Sequence, residues 1–257
     1  MGDQPYPLMR RAEPVMGTVV SFAVRVDGAD CAAAVREAVS WLHDVDARFS
    51  PYRSDSEVSL IDAGLLSVDQ ASADLRQVLG LCDQVIARTD GYFTTRPWGH
   101  FDPSGLVKGW AVQRAADILL GHGLVDHSVA GGGDVQVHGL RGPGRPWVVG
   151  IADPHRPGTV LSTVPLTDGA VATSGTAERG AHVVDPHTGR AASELASLTL
   201  VGRELTWVDA CATAALAMGR AALAWVSEHK DLQALAVDAA GQASWTDGWP
   251  GSRPVRT

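Results

Sequence analysis

From residue 15 to 26 (VMGTVVSFAVRV) the chain is a largely apolar run rich in β-branched residues, which predicts a strand. After Asp27-Gly28 the period lengthens: Val35, Val39, Leu42, Val45 and Phe49 recur at helical spacing. A helix packed on a sheet is the first implication. A second amphipathic helix carries Leu75, Val78, Leu79, Cys82, Val85 and Ile86 on one stripe, with Ser72 placed to cap its start and Gly91 to end it. The polar loop FSPYRSDSE separates the two, and a third helix is predicted from about Lys108 to Leu120, stopping at Gly121.

Beyond this the chain reads as short strand-like runs near 134–138, 147–152, 160–165, 169–173, 181–184 and 197–202, divided by Gly, Pro and Asp. Two helical stretches, about 206–219 and 221–229, precede a last strand in LQALAVDA. The pattern predicts an α+β fold with mixed or antiparallel sheets and packed helices. No low-complexity linker or charge block interrupts it, so residues 1–257 are expected to form a single domain. Asp-Pro-His follows a strand twice, at 153–155 and 185–187, which reads as repeated turn chemistry rather than duplication.

The 28 Gly and 14 Pro in 257 residues fit a turn-rich fold, and 6% aromatic content leaves a core of Ala, Val and Leu. The net charge of −8 offers no global positive field, so no nucleic-acid partner is expected. No apolar run approaches the roughly 18 residues of a membrane span, and no signal-like apolar stretch follows the early positive charges. No membrane insertion and a cytoplasmic location are therefore expected. Cys31, Cys82 and Cys211 are far apart and read as buried small hydrophobes. Lysine is nearly absent, occurring only as Lys108 and Lys230, which draws attention to its chemistry.

P-loop, dinucleotide-binding, zinc-protease and nucleophile-elbow motifs are all missing. Four other segments concentrate unusual residues. In FDPSGLVKGWA a Gly-containing turn leads into a helix, where outward-facing amides and Lys108 in the first turn suit a phosphate; a solvated lysine is the plainer reading. In AGGGDVQVHG three glycines admit close approach of a ligand, and Asp134 suits a ribose hydroxyl; a flexible hairpin entry is the alternative. In ATSGTAERGAHVVDPHTGR, His182 stands near Ser174, Glu178 and Asp185 and reads as either a base or a core residue. In TWVDACATAALAMG, Asp209 and Thr213 stand four apart on one helix face, which suits Mg²⁺, whereas Thr206-x-x-Asp209 also has the spacing of a capping box.

Taken in order, these segments resemble the ApbE family of FAD:protein FMN transferases. The resemblance rests on Met16-Gly17-Thr18, FSPYRSDSE, Gly91-Tyr92-Phe93, the Asp102 to Gly109 pattern, Gly132 to Asp134, ATSG, His182 to Gly189 and Asp209 to Ala214. It implies an ApbE-like fold and a Mg²⁺-dependent enzyme that splits FAD, passing FMN to a Thr or Ser of an acceptor protein while AMP leaves. It places FAD against Met16, Tyr92, Phe93, Asp102, Ser104, Lys108, Gly132, Gly133, Asp134, Thr173, Ser174 and His182. It assigns catalysis to His182 and Asp209, and the metal to Asp209 and Thr213 with main-chain oxygens near Gly105 and Ala212. Three departures stand out: Gly105 where the family has Ala, which should loosen a loop, Thr94 where it has Asp, and a short 94–101 segment. The same cleft would serve an FAD pyrophosphatase, or a flavin-binding protein without catalysis.

Overall fold

A computed structural model describes residues 7–26, 30–175 and 183–254. The chain opens with an antiparallel hairpin of β1 (Leu8–Val15) and β2 (Thr18–Arg25), then α1 (Cys31–Phe49), the short α2 (Glu57–Asp62) and α3 (Ala73–Arg88). Helix α4 (Ser104–Gly121) leads to β3 (His127–Gly131) and β4 (Asp134–His138), then β5 (Trp147–Ala152), β6 (Val160–Leu166) and β7 (Gly169–Gly175). The last part holds β8 (Val184–Asp185), β9 (Arg190–Ala191), β10 (Leu195–Gly202), α5 (Leu205–Met218), α6 (Ala222–Glu228), β11 (Gln233–Asp238) and β12 (Ala243–Trp245). Among the described residues eight strands form one sheet in the order β1-β2-β3-β4-β7-β10-β11-β12, every pairing antiparallel. The expected α+β architecture holds, with antiparallel rather than mixed pairing.

Strand alternation sends the two faces of this sheet into different cores. On β7, Ala170 and Ala172 join the helix-side core while Val171 joins the other; on β10, Leu198 and Leu200 part company with Val201; on β11, Ala234 and Ala236 part from Leu235. Helices α4 and α5 lie on the first face, with the stripe of α1 (Val35, Leu42 and Val45) and that of α3 (Leu75, Val78 and Cys82) buried in the same core. The β5–β6 hairpin supplies Ile151 and Val164 to the second core, which Trp249 joins.

The 15–26 run is not one strand. Met16 and Gly17 both have positive φ (57° and 67°) and join β1 to β2 as a two-residue turn, the geometry whose twist matches that of a hairpin. The sequence pattern does not mark β1, because it is an edge strand carrying Arg10, Arg11 and Pro14, residues that discourage further pairing. The predicted polar loop gives way at Glu57 to α2, capped by Ser56. All three cysteines are free and buried, and desolvation pushes the thiols of Cys82 and Cys211 up to about 12. Residues Leu205–Glu228 are, by length and composition, apolar enough to cross a membrane, contrary to the expectation of no such run. In this fold the stretch is divided at Gly219, and α5 is a core helix packed on β7 and β10.

The two Asp-Pro-His segments share one local device. Asp153 Oδ1 accepts the His155 N–H and Asp185 Oδ1 accepts the His187 N–H, both at 2.9 Å. Asp185 also accepts the Thr188 hydroxyl at 2.8 Å. The repetition is therefore turn chemistry, as expected from the residue types.

Candidate functional site

Pairing of β2 with β3 sets Val20 opposite Gly131, which brings the Met16-Gly17 turn beside the Gly132-Gly133 turn of the next hairpin. Gly132 and Gly133 have φ of 59° and 88°, so this segment is a tight two-residue turn rather than a flexible entry. A Cβ added at Gly132 would lie 3.4 Å from Thr18 Oγ1 and 3.6 Å from Lys108 Cδ. The lysine stem thus runs alongside the turn.

Its ammonium ends between two carboxylates, Asp134 of β4 and Asp209 of α5, the latter at 2.9 Å. Asp134 is wholly buried, and its other oxygen accepts the Thr173 N–H at 2.9 Å; Thr173 in turn shares a 2.9 Å hydroxyl contact with Thr199. Asp209 Oδ2 also accepts the Gly109 N–H at 2.9 Å. Lys108 is the fifth residue of α4, in the second helical turn and not the first, and its charge is shared with two acids rather than offered alone to a phosphate. Asp134 likewise has both oxygens engaged inside the protein rather than presented to a ribose.

The capping-box reading of Asp209 fails for a specific reason. The first amides of α5 are satisfied from neighbouring elements: Leu205 N–H donates to Gln136 Oε1 and Thr206 N–H to Gln113 Oε1, both at 2.9 Å. Thr206 donates its hydroxyl to Gln113 as well. Asp209 is left to face α4. Gln113 and Gln136 were not singled out by sequence, although Gln136 stands two residues from Asp134 on β4 and so shares its face.

One turn further along α5, Thr213 Oγ1 lies 3.4 Å from Ser174 Oγ. Gly105 is the second residue of α4, inside the helix and not in a loop, and a Cβ there would come 3.1 Å from Phe93 Cε2 and 3.7 Å from Thr213 Cγ2. Phe93 is 2% exposed and fixed by Thr89, whose hydroxyl accepts its N–H at 3.2 Å; it is a wedge beneath α4, and Tyr92 is the more open member of the pair. Tyr92 stacks obliquely on His187, with ring centroids 4.4 Å apart. Asp102 accepts the Ser104 N–H at 2.9 Å and so serves the start of α4. Ala212 is buried in α5 among Ala210, Cys211, Ala214 and Ala215, small residues that allow close helix approach. His182 and Glu178 lie outside the described residues.

The structure therefore gathers Met16, Gly132, Gly133, Asp134, Lys108, Thr173 and Asp209 at one end of the sheet, with Ser174, Thr213, Gly105 and Phe93 meeting where α4 crosses α5. The donors at that crossing are hard oxygens, the kind Mg²⁺ selects. Among the described residues no group of three or more His, Cys, Asp or Glu side chains is placed to hold a metal, so Asp209 and Thr213 would need water or ligand oxygens to complete a shell.

Away from this end, His127 is fully buried on β3, donating from Nδ1 to the Leu124 carbonyl at 2.6 Å, and desolvation pulls its pKa down to about 4.

The fold is shared with solved structures. A flavin transferase ApbE from Vibrio cholerae matches with a TM-score of 0.82 at 21% identity, over 95% of this chain and 98% of that one. An ApbE protein from Thermotoga maritima gives 0.85 at 22%, over 94% and 97%, and a flavinyl transferase ApbE from Pseudomonas stutzeri, in apo form, gives 0.82 at 21%, over 96% and 98%. No curated protein matches this chain. The ApbE family model matches residues 16–97 and 94–236, the span that carries every side chain of the Lys108 cluster, and on that match the chain is a member of the ApbE family.

Proposed function

We propose that this protein transfers FMN from FAD to a Thr or Ser hydroxyl of an acceptor protein and releases AMP, with Mg²⁺ as the required metal. Membership of the family supports a flavin transferase. The single observation that carries the finer reading is the charge count at the sheet end: one ammonium, Lys108, between two carboxylates, Asp134 and Asp209. That cluster carries a net charge of about −1 and by itself repels a pyrophosphate. A divalent cation held by Asp209 and Thr213, helped by main-chain oxygens near Gly105 and Ala212, would reverse the sign and supply charge neutralisation for the phosphoryl oxygens.

In the reaction the acceptor oxygen bonds to the FMN phosphorus, the bridging P–O bond to AMP breaks, and the hydroxyl proton passes to a base. AMP leaves with the bridging oxygen. This chain's part is to hold the pyrophosphate against the two hairpin turns, where main-chain amides approach closely, and to keep Lys108 fixed by its two acids so that no reorganisation is needed. His182 is assigned the hydroxyl proton on its place in the family pattern alone, a role worth ~10²–10⁴-fold.

Incubating the protein with FAD, Mg²⁺ and a library of Ser/Thr-containing peptides tests this. AMP release matched by an FMN mass gain on a peptide is expected, both lost on chelation and restored by Mg²⁺. AMP without a mass gain would make the protein an FAD pyrophosphatase, and no AMP under any condition would leave a flavin-binding protein.

A further inference from the structure

The short connection between Phe93 and the start of α4 holds an unusual residue. Trp98 has φ 55° and ψ 20°, in the left-handed region that bulky side chains avoid, and is 55% exposed. A tryptophan kept in that conformation needs surroundings that impose it, and here they are visible. Asp62 at the end of α2 accepts the Phe101 N–H at 2.6 Å and contacts His100 Nδ1 at 3.1 Å. The Asp102 N–H donates to the Thr95 carbonyl at 2.8 Å and closes the loop at its neck, while the Arg96 guanidinium lies 5.5 Å over the Phe101 ring.

The chain thus ties this loop at its neck and leaves Trp98 more than half exposed. Trp98 is three residues from Thr95, so its Cα lies at most about 11 Å from the neck. Both sides of that neck lead to the α4–α5 crossing: Phe93 lies before it and Gly105 after it. We propose that Trp98 is the anchor on which an acceptor polypeptide docks, presenting its Thr or Ser hydroxyl to the neighbouring site; this rests on the FMN-transfer reading above. Three points favour a polypeptide. An acceptor must come from solvent, as the loop faces it. A preorganised indole with an apolar body and one donor is the side chain that most often dominates polypeptide interfaces. The adjoining Arg96 and His100 supply an exposed polar rim.

The test uses the best peptide from the library described above, with initial rates measured against peptide at saturating FAD and against FAD at saturating peptide. Trp98→Ala and Trp98→Asn should raise the KM for peptide about tenfold or more, with the KM for FAD within about twofold of the parent's and kcat unchanged. Trp98→Phe should recover most of the loss. Because Asn tolerates the left-handed conformation, Trp98→Asn should melt no lower than the parent, which separates docking from folding. An unchanged peptide KM overturns the proposal. So does a raised KM for FAD with unchanged peptide KM, which would put the ring on the flavin, and so does loss of self-association without a change in peptide KM, which would give it to a second copy. A parent that releases AMP but modifies no peptide removes the transfer reading itself, and this proposal with it.

Discussion

The carboxylate of Asp209 on α5 accepts the backbone N–H of Gly109 on α4 at 2.9 Å. A mid-helix amide ordinarily serves its own helix, so this bond joins two helices at a point where α4 has no room for a side chain and α5 supplies one. A Cβ at Gly109 would lie 2.6 Å from the Leu205 carbonyl and 2.7 Å from Asp209 Cβ, closer than real contacts allow. Gly109→Ala is expected to separate the helices, costing about 1–3 kcal/mol in urea unfolding, and to slow AMP release by moving Asp209 off Lys108. Parent-like stability and rate together would show that the helices have slack here.

Lys108→Met has a different origin. The wholly buried Asp134 and the nearly buried Asp209 would then face each other without a cation. Removing one partner of a buried ion pair costs about 3–5 kcal/mol, and the lower end applies because the lysine side chain is 21% exposed. Pairing Lys108→Met with Asp134→Asn should return much of that stability, which a double-mutant cycle in urea measures. The variant's FAD affinity is therefore interpretable only beside its unfolding curve. Equal weakening of FAD and riboflavin at intact stability would place Lys108 away from the pyrophosphate.

The helices were legible because burial and periodicity agree: Val35, Leu42 and Val45 of α1 and Leu75, Val78 and Cys82 of α3 are all fully or nearly fully buried. Strand β1 was hidden by the features that make a safe edge, Arg10, Arg11 and Pro14. The site was legible as separate segments but not as an arrangement. Lys108, Asp134 and Asp209 come from three distant stretches, and no local pattern says that an ammonium sits between the acids. The spacing of Thr206 and Asp209 pointed instead to a cap, which two glutamines from other elements made unnecessary.

His127 should make stability depend on pH. Desolvation by burial lowers its pKa to about 4, outweighing the hydrogen bond to the Leu124 carbonyl, which acts the other way, while an unfolded histidine titrates near 6.5. The unfolded chain then binds more protons between these values, so stability is complete above about pH 6.5 and declines as pH falls towards 4. The expected loss from pH 7 to pH 5 is about 2 kcal/mol for this group. Urea unfolding at both pH values measures it, and His127→Gln should flatten that part of the slope. A parent curve without decline over this window would mean that His127 accepts its proton in the folded state as readily as in the unfolded one.

Thr213 offers the cleanest test of the metal assignment, because Asp209→Ala would also strand Lys108 and the Gly109 amide. Among the described residues the Thr213 hydroxyl makes one side-chain polar contact, at 3.4 Å to Ser174, and its methyl group lies beside Gly105. Thr213→Val keeps that methyl and replaces the hydroxyl with a second methyl of similar size. If the hydroxyl helps to hold Mg²⁺, the variant should fold with a melting temperature near the parent's, bind FAD with similar affinity, and need about tenfold or more Mg²⁺ for half-maximal AMP release, with Thr213→Ser close to the parent. A purely structural hydroxyl predicts the reverse, a lower melting temperature and an unchanged Mg²⁺ requirement. A hydroxyl that touches FAD predicts weaker FAD binding in the absence of any metal, which equilibrium titration with chelator present detects. Parallel Mg²⁺ titrations of parent, Val and Ser variants therefore decide whether α5 carries a metal ligand at Thr213 or only a packing contact with β7.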